Sequence, residues 1–474
     1  MRRISPLLLC SLLSLPLLAQ SPRTFDSFFE ERTMRVDYFH TGGPGEETFS
    51  LDRVVADGPW AGPRTKLLDM LDLGKYRFVV RDLATHGEIY SRGFSSIYGE
   101  WETTSDAKSR NQTFHESVRF PWPKKPVELI LEKRGERNSF RPVWSTLIDP
   151  ASRQVNRAML EPLGEVHTIF ESGPVHAKVD LLFLGEGYTA AEADEFVADA
   201  RRLAEALFAV EPFRSRRSDF NVRAIAPPAA RSGVHRVRAN QNRRTPMSVE
   251  YNIFDSERYV LTLDNRALRD VASAAPYEFV EILVNERQYG GGGIYGLHST
   301  AAAGSAFADY LVIHEFGHHF AALGDEYYTS PVAYETGAAS HPEPWEPNIT
   351  ALHDPAALTW RDLVEPGTPI PTPWEKEEFE EHSRAVQKRR AELRAKNASE
   401  EELEALFREQ QAWEEKFLAS QKYAGKVGAF EGASYEPTGL YRPEADCIMF
   451  TRDRVGFCRV CDRAIRRVID FHTD

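Results

Sequence analysis

The chain has 474 residues, with 71 Asp or Glu against 58 Lys or Arg, a net charge of −13. That acidic balance excludes a general nucleic-acid binder, which needs clustered cations to meet phosphates. A hydrophobic share of 42% with 11% aromatics excludes global disorder, and the length allows two or three domains with a large buried core.

Arg2 and Arg3 precede a Leu-rich run from Leu7 to Leu18, closed by Ala19. A basic start, a short apolar stretch and a small residue predict a signal peptide over 1–20 and an exported chain, secreted or periplasmic. Beyond it no apolar run reaches the ~18 residues that cross a bilayer, so no transmembrane segment is expected in the mature chain. Cleavage leaves Cys447, Cys458 and Cys461. Export permits a disulfide, and one pair plus a free thiol is the simplest count.

Residues 21–150 read as a β-rich, sandwich-like domain. Tyr76–Val80, Glu88–Tyr90, His115–Phe120 and Val127–Leu131 are strand-like, with Gly, Pro and Asn between such runs. From 151 to 474 the pattern becomes α/β. The apolar run Val179–Leu184 has the character of a buried strand, Thr189 with Glu192 forms a capping box for a helix to about Phe208, and Phe279–Val284 repeats the strand pattern. Gly185-Glu186-Gly187 is a strand-to-helix turn rather than a dinucleotide loop, because Glu186 would set a carboxylate against a pyrophosphate. A charged block at about 374–423 predicts an inserted helical hairpin. Phe379, Val386 and Leu393 recur every seven residues, and Ser399 with Glu402 caps the second stretch.

The densest chemistry is His314-Glu315-Phe316-Gly317-His318, preceded by apolar residues at helical spacing. On a helix, positions i and i+4 share one face, so both imidazoles can address one ion. Zinc fits this donor set; it lowers the pKa of a bound water to about 7, and Glu315 stands next to the histidines as a general base. An open catalytic zinc needs a third protein ligand. Asp325 and Glu326 both qualify, with Asp325 preferred because Gly324 can end the helix in a left-handed conformation and turn the chain back. Glu335 and Glu343 bracket the spacing of a long-helix alternative. His319 points off the ligand face.

Together, His314 to Leu323, Asp325-Glu326-Tyr327, Asp446-Cys447-Ile448-Met449-Phe450 and Phe457-Cys458-Arg459-Val460-Cys461 resemble the IgA-peptidase family of zinc metallopeptidases. Tyr289 to Gly293, Glu343 to Asn348 and Gly439 to Pro443 are similar to it as well. The resemblance implies a metzincin-like α/β domain with a mixed twisted sheet, preceded by the family's N-terminal β domain. It implies His314, His318 and Asp325 as zinc ligands, Glu315 as base and Met449 in a methionine turn beneath the metal. Ala322 departs from the glycine common in that family, which moves the expected turn to Gly324.

Gly291, Gly292 and Gly293 follow a strand without bulky side chains, and a substrate backbone could pair along them. Tyr435 and Tyr441 are candidate oxyanion donors. Cys447 and Cys458 could form a disulfide, or the three cysteines could join His472 in a structural zinc site. The reading is an exported zinc endopeptidase acting on a peptide or protein substrate. Its rivals are a surface-binding protein with a structural metal and a zinc amidase acting on cell-wall peptides.

Overall fold

The computed structural model describes residues 24–135, 137–337 and 340–473; the expected signal segment lies outside the described residues. The chain begins with the short α1 (Phe25–Phe28) and two long antiparallel strands, β1 (Phe29–Gly43) and β2 (Glu46–Pro59). Then come β3 (Tyr76–Asp82), β4 (Glu88–Phe94), α2 (Ile97–Trp101), β5 (Gln112–Pro123), β6 (Val127–Arg134), β7 (Phe140–Ile148) and the two-residue β8 (Val155–Asn156). They form two four-stranded sheets, ordered β5-β1-β2-β8 and β4-β3-β6-β7. Alternation places Met34, Val36 and Tyr38 of β1 on one face, where they share a core with Phe78, Val80, Leu129 and Leu131 of the other sheet.

The opposite face of β1 is buried too, although it carries charges. Arg35 pairs with Asp57 at 2.7 Å and with Asp270 at 2.6 Å. Asp270 belongs to the second domain, so this face is the domain junction, and its buried charges are matched across it.

The second domain is built on a six-stranded sheet of order β15-β16-β14-β10-β11-β9. Its strands are β9 (Val166–Phe170), β10 (Val179–Glu186), β11 (Phe220–Ile225), β14 (Phe279–Val284), β15 (Gly291–Ile294) and β16 (His298–Ala302), with β12 (Val249–Tyr251) and β13 (Val260–Thr262) forming a separate ribbon. The four inner strands run parallel; β9 and β15 close the two edges antiparallel. β10 is a continuous apolar run because both its faces are covered. Leu181 and Phe183 pack with α3 (Ala193–Leu207), α5 (Ala308–Ala321) and α8 (Arg459–His472), while Leu182 and Leu184 pack with α4 (Asn265–Ala272).

The charged block is the helical pair α6 (Lys376–Ala395) and α7 (Glu400–Ala419), and the Ser399–Glu402 capping box starts the second helix. Its apolar stripe is not left to solvent. Phe379 lies 5.1 Å from the Phe450 ring, and Phe407 lies 5.4 Å from Tyr289. A final hairpin, β17 (Phe430–Ala433) and β18 (Glu436–Arg442), precedes α8.

Candidate metal centre and cleft

Helix α5 brings His314 and His318 to one face, with their Nε2 atoms 3.2 Å apart. The helix ends at Ala322, which takes a left-handed conformation at φ 55°, with its N–H on the His318 carbonyl and that of Leu323 on the Gly317 carbonyl. The turn expected at Gly324 is therefore made by Ala322. Gly324 is needed for another reason: a Cβ there would come within 2.7 Å of Ile349.

The reversal carries Asp325 back over the helix. Its Oδ1 stands 3.1 Å from His314 Nε2 and 3.2 Å from His318 Nε2. Glu326 points the opposite way, its Oε1 accepting from Asn348 Nδ2 at 2.9 Å. The Nδ1 atoms of both histidines face backbone carbonyls, Ile448 O at 2.9 Å and Leu323 O at 2.5 Å. Donation there fixes the tautomers and leaves both Nε2 lone pairs turned to Asp325. Oδ1 of Asp325 is buried with no hydrogen-bond donor. Three such atoms in a triangle can share one cation, and four-coordinate zinc with bonds near 2.0 Å sets its ligands about 3.3 Å apart. The residues fit a zinc ion with a fourth position left toward the cleft.

Those charges also shift one another. Burial disfavours an imidazolium at His318, yet the facing Asp325 outweighs it and pushes the ring up to about 9; Asp325, despite its burial, is held well below the usual carboxylate range by the two histidines. Glu315 lies beside this triangle and lines the cleft. Burial raises its carboxyl above the ordinary value, partly countered by His314 and His318. The Met449 side chain is fully buried under the helix, its Sδ 3.1 Å from where a Cβ on Gly317 would stand. Its carbonyl accepts the Glu326 N–H at 2.9 Å.

Family comparison covers both domains. Residues 24–145 match the Peptidase M64 N-terminus and residues 167–469 match IgA Peptidase M64. The chain belongs to the M64 family of IgA peptidases. It is thereby a metallopeptidase. No curated protein matches it.

In this M64 peptidase the cleft beside the candidate metal centre measures about 450 Å³ and is lined from both domains. The N-terminal domain supplies Lys75, Gly99, Glu100 and Thr103. Glu100 accepts the Tyr334 hydroxyl at 2.8 Å, and the Tyr334 ring lies 5.4 Å from that of Tyr435, whose own hydroxyl donates to Asp325 Oδ2. Tyr435, one of two candidate oxyanion donors, is thus engaged with Asp325 rather than standing free. Tyr441 does not reach the cleft; its backbone pairs with Thr350 and its ring lies near Glu431.

Gly291, Gly292 and Gly293 line the cleft on edge strand β15. Their lack of side chains serves the helix first. A Cβ on Gly293 would overlap the Glu315 carbonyl and come within 2.9 Å of His318 Cβ, and one on Gly291 would lie 3.0 Å from Glu315 Oε1. Part of the strand's outer edge is already occupied, because Gly291 N–H donates to Arg258 O at 3.1 Å.

Other groups escaped the sequence reading. Tyr310 stacks on His314 with ring centroids 5.1 Å apart, and Arg258 donates to the Tyr327 hydroxyl at 3.2 Å. Tyr310 precedes His314 by one helical turn, a spacing that could have marked it; Arg258, Glu100 and Tyr334 carry no local signal. His319 is a core residue, accepting from Val280 N–H at 3.1 Å and facing Ile294 O at 3.0 Å. Burial pushes it down to about 3, leaving the ring neutral. The disulfide expected between Cys447 and Cys458 is not formed: both are free thiols, as is Cys461. Cys458 caps α8, and its own N–H points at Cys447 Sγ at 3.3 Å. His472 lies elsewhere, its Nδ1 2.6 Å from Glu278.

Proposed function

We propose that this metallopeptidase is an exported zinc endopeptidase of metzincin-like architecture, with His314, His318 and Asp325 as ligands and Glu315 as general base. The reading rests above all on the triangle of Nε2, Nε2 and Oδ1 with sides of 3.1 to 3.2 Å, opening onto a cleft beside Glu315. A zinc ion held there supplies Lewis acidity to the scissile carbonyl and lowers the pKa of its water to about 7. Glu315 takes a proton from the attacking water onto a carboxylate oxygen and passes it to the nitrogen of the leaving amine. Its raised affinity for protons, a consequence of burial, suits both transfers. Tyr435 and the carbonyls of Ile448 and Leu323 hold the ligands in place, so little reorganisation accompanies reaction.

An extended peptide is placed along the cleft beside Gly291, Gly292 and Gly293, with the N-terminal domain closing the other wall. Export rests on the N-terminal sequence pattern alone. Three protein donors facing a cleft favour catalysis over the rival structural metal, which closes its shell with four.

Glu315→Gln tests the reading. The variant should bind zinc as the parent does and cleave unfolded protein substrates at least 10³-fold more slowly. Unchanged cleavage would remove Glu315 from the chemistry. N-terminal sequencing of the exported product should find the cut near Ala19 or Gln20.

A further inference from the structure

A second donor cluster lies on the far side of the Asp325 loop. Cys447 Sγ and Cys461 Sγ are 3.9 Å apart, and Cys461 Sγ is 3.3 Å from Glu326 Oε1. With Cys458, the four donor atoms all lie within 4.8 Å of one another, and all four residues are buried. We infer that Glu326, Cys447, Cys458 and Cys461 form a second metal site, holding one structural zinc ion.

The donor set and its closure argue for zinc in a structural role. Four protein ligands, three of them sulfur, leave no position for water or substrate. Bonds near 2.3 Å from zinc to sulfur place tetrahedral sulfurs about 3.8 Å apart, which matches the Cys447–Cys461 separation. The cluster is too tight to enclose several irons and their bridging sulfides. Backbone N–H groups already face the sulfurs, Cys458 N to Cys447 Sγ at 3.3 Å and Cys461 N to Cys458 Sγ at 3.5 Å, an arrangement that favours thiolates.

The carboxylate supplies an independent observation. Glu326 is fully buried and its Oε2 has no hydrogen-bond partner. A buried carboxylate oxygen without a donor is costly unless a cation meets it. Arg442 is the buried cation whose field reaches it, but that guanidinium donates to the carbonyls of Glu431, Gly432 and Ala445.

The site's place in the fold gives it a task. Glu326 adjoins the ligand Asp325, Cys447 opens the turn that carries Met449, and Cys458 and Cys461 begin α8. One ion would tie these three segments together directly behind the cleft.

The full-length mature protein tests this through metal content. The wild type should hold two zinc ions per chain, and a His314→Ala/His318→Ala variant, untouched in the second cluster, should keep one. Loaded with cobalt, that variant should show thiolate-to-cobalt charge-transfer absorption, which Cys458→Ser added to it should weaken or abolish. A double-histidine variant that is metal-free, or one whose cysteines titrate as a disulfide after unfolding in chelator, would overturn the inference. Retention of both ions in that variant would count instead against the His314–His318 centre.

Discussion

The Tyr435 hydroxyl donates to Oδ2 of Asp325, while Oδ1 of the same carboxylate faces both imidazoles. One oxygen is held so that the other is aimed. Without the phenol, the carboxylate can rotate and offer either oxygen or both. Tyr435→Phe should therefore weaken zinc binding by about 10-fold or more. Competition with a chromophoric chelator measures it. Excess zinc should restore much of the activity, because the proposed base Glu315 is intact; activity lost beyond rescue would place Tyr435 on the substrate instead.

Metal binding should release protons. In the metal-free protein His318 is pushed up to about 9 by Asp325, so it is charged at pH 7, and zinc needs its neutral form. Affinity should rise about tenfold per pH unit through neutrality and flatten near pH 9. Calorimetry in buffers of different ionisation enthalpy should count close to one proton released at pH 7. The sign for the metal-free fold follows: a histidine raised on folding stabilises fully below its unfolded value near 6.5, and that contribution is lost as pH rises through about 9. Chelated protein should thus melt lower at pH 9 than at pH 6.5 as far as this pair is concerned, and His318→Gln should flatten the difference.

Activity should carry an acidic limb from Glu315. As the proposed base, Glu315 would work ionised, and burial lifts its carboxyl above the ordinary range, so kcat/KM should fall as pH drops through a value above 4.5, the usual glutamate figure. A pH–rate profile under saturating zinc separates this limb from metal loss. A limb at or below 4.5 would contradict the burial argument.

Local patterns survived translation into structure where one element decided them. The strand at Val179–Leu184, the capping boxes at Thr189–Glu192 and Ser399–Glu402, and the pairing of His314 with His318 each depend on a spacing within a few residues. The rejected dinucleotide reading at Glu186 is instructive: its carboxylate accepts backbone N–H bonds from Met247 and Val249, partners some sixty residues away. What stayed hidden was of that kind. Glu100 reaches the metal centre only because the sandwich docks on the peptidase domain, and the cysteines meet Glu326 only after α8 folds back. The conformation of Ala322 was hidden differently, since the helix-end bonds of Ala322 and Leu323 N–H to the His318 and Gly317 carbonyls are made against a residue preference.

That preference is measurable. Ala322 sits at φ 55° with its methyl group buried in the main core cluster, and a left-handed alanine costs roughly 1 kcal/mol against glycine. Part of this is offset by the greater freedom glycine has when unfolded. Loss of the buried methyl group, worth about 0.8 kcal/mol, offsets most of the rest, so Ala322→Gly should leave Tm within roughly 2 °C of the parent, with zinc affinity unchanged. A larger fall in Tm would mean that the Ala322 side chain contributes more than this.

Gly293 is the more severe case. Helix α5 rests on β15 there with no room for a side chain, and the atoms a Cβ would strike belong to the backbone of Glu315, the proposed base, and to His318, a proposed ligand. Gly293→Ala should push the helix off the strand, and displacement of a reacting group by about 1 Å can cost on the order of 100-fold in rate. The expected result is a loss of kcat approaching that size together with weaker zinc binding. A substitution that merely hindered peptide entry would raise KM and leave zinc affinity and kcat intact. Measuring the three quantities on one preparation therefore tells whether this glycine serves the helix or the substrate.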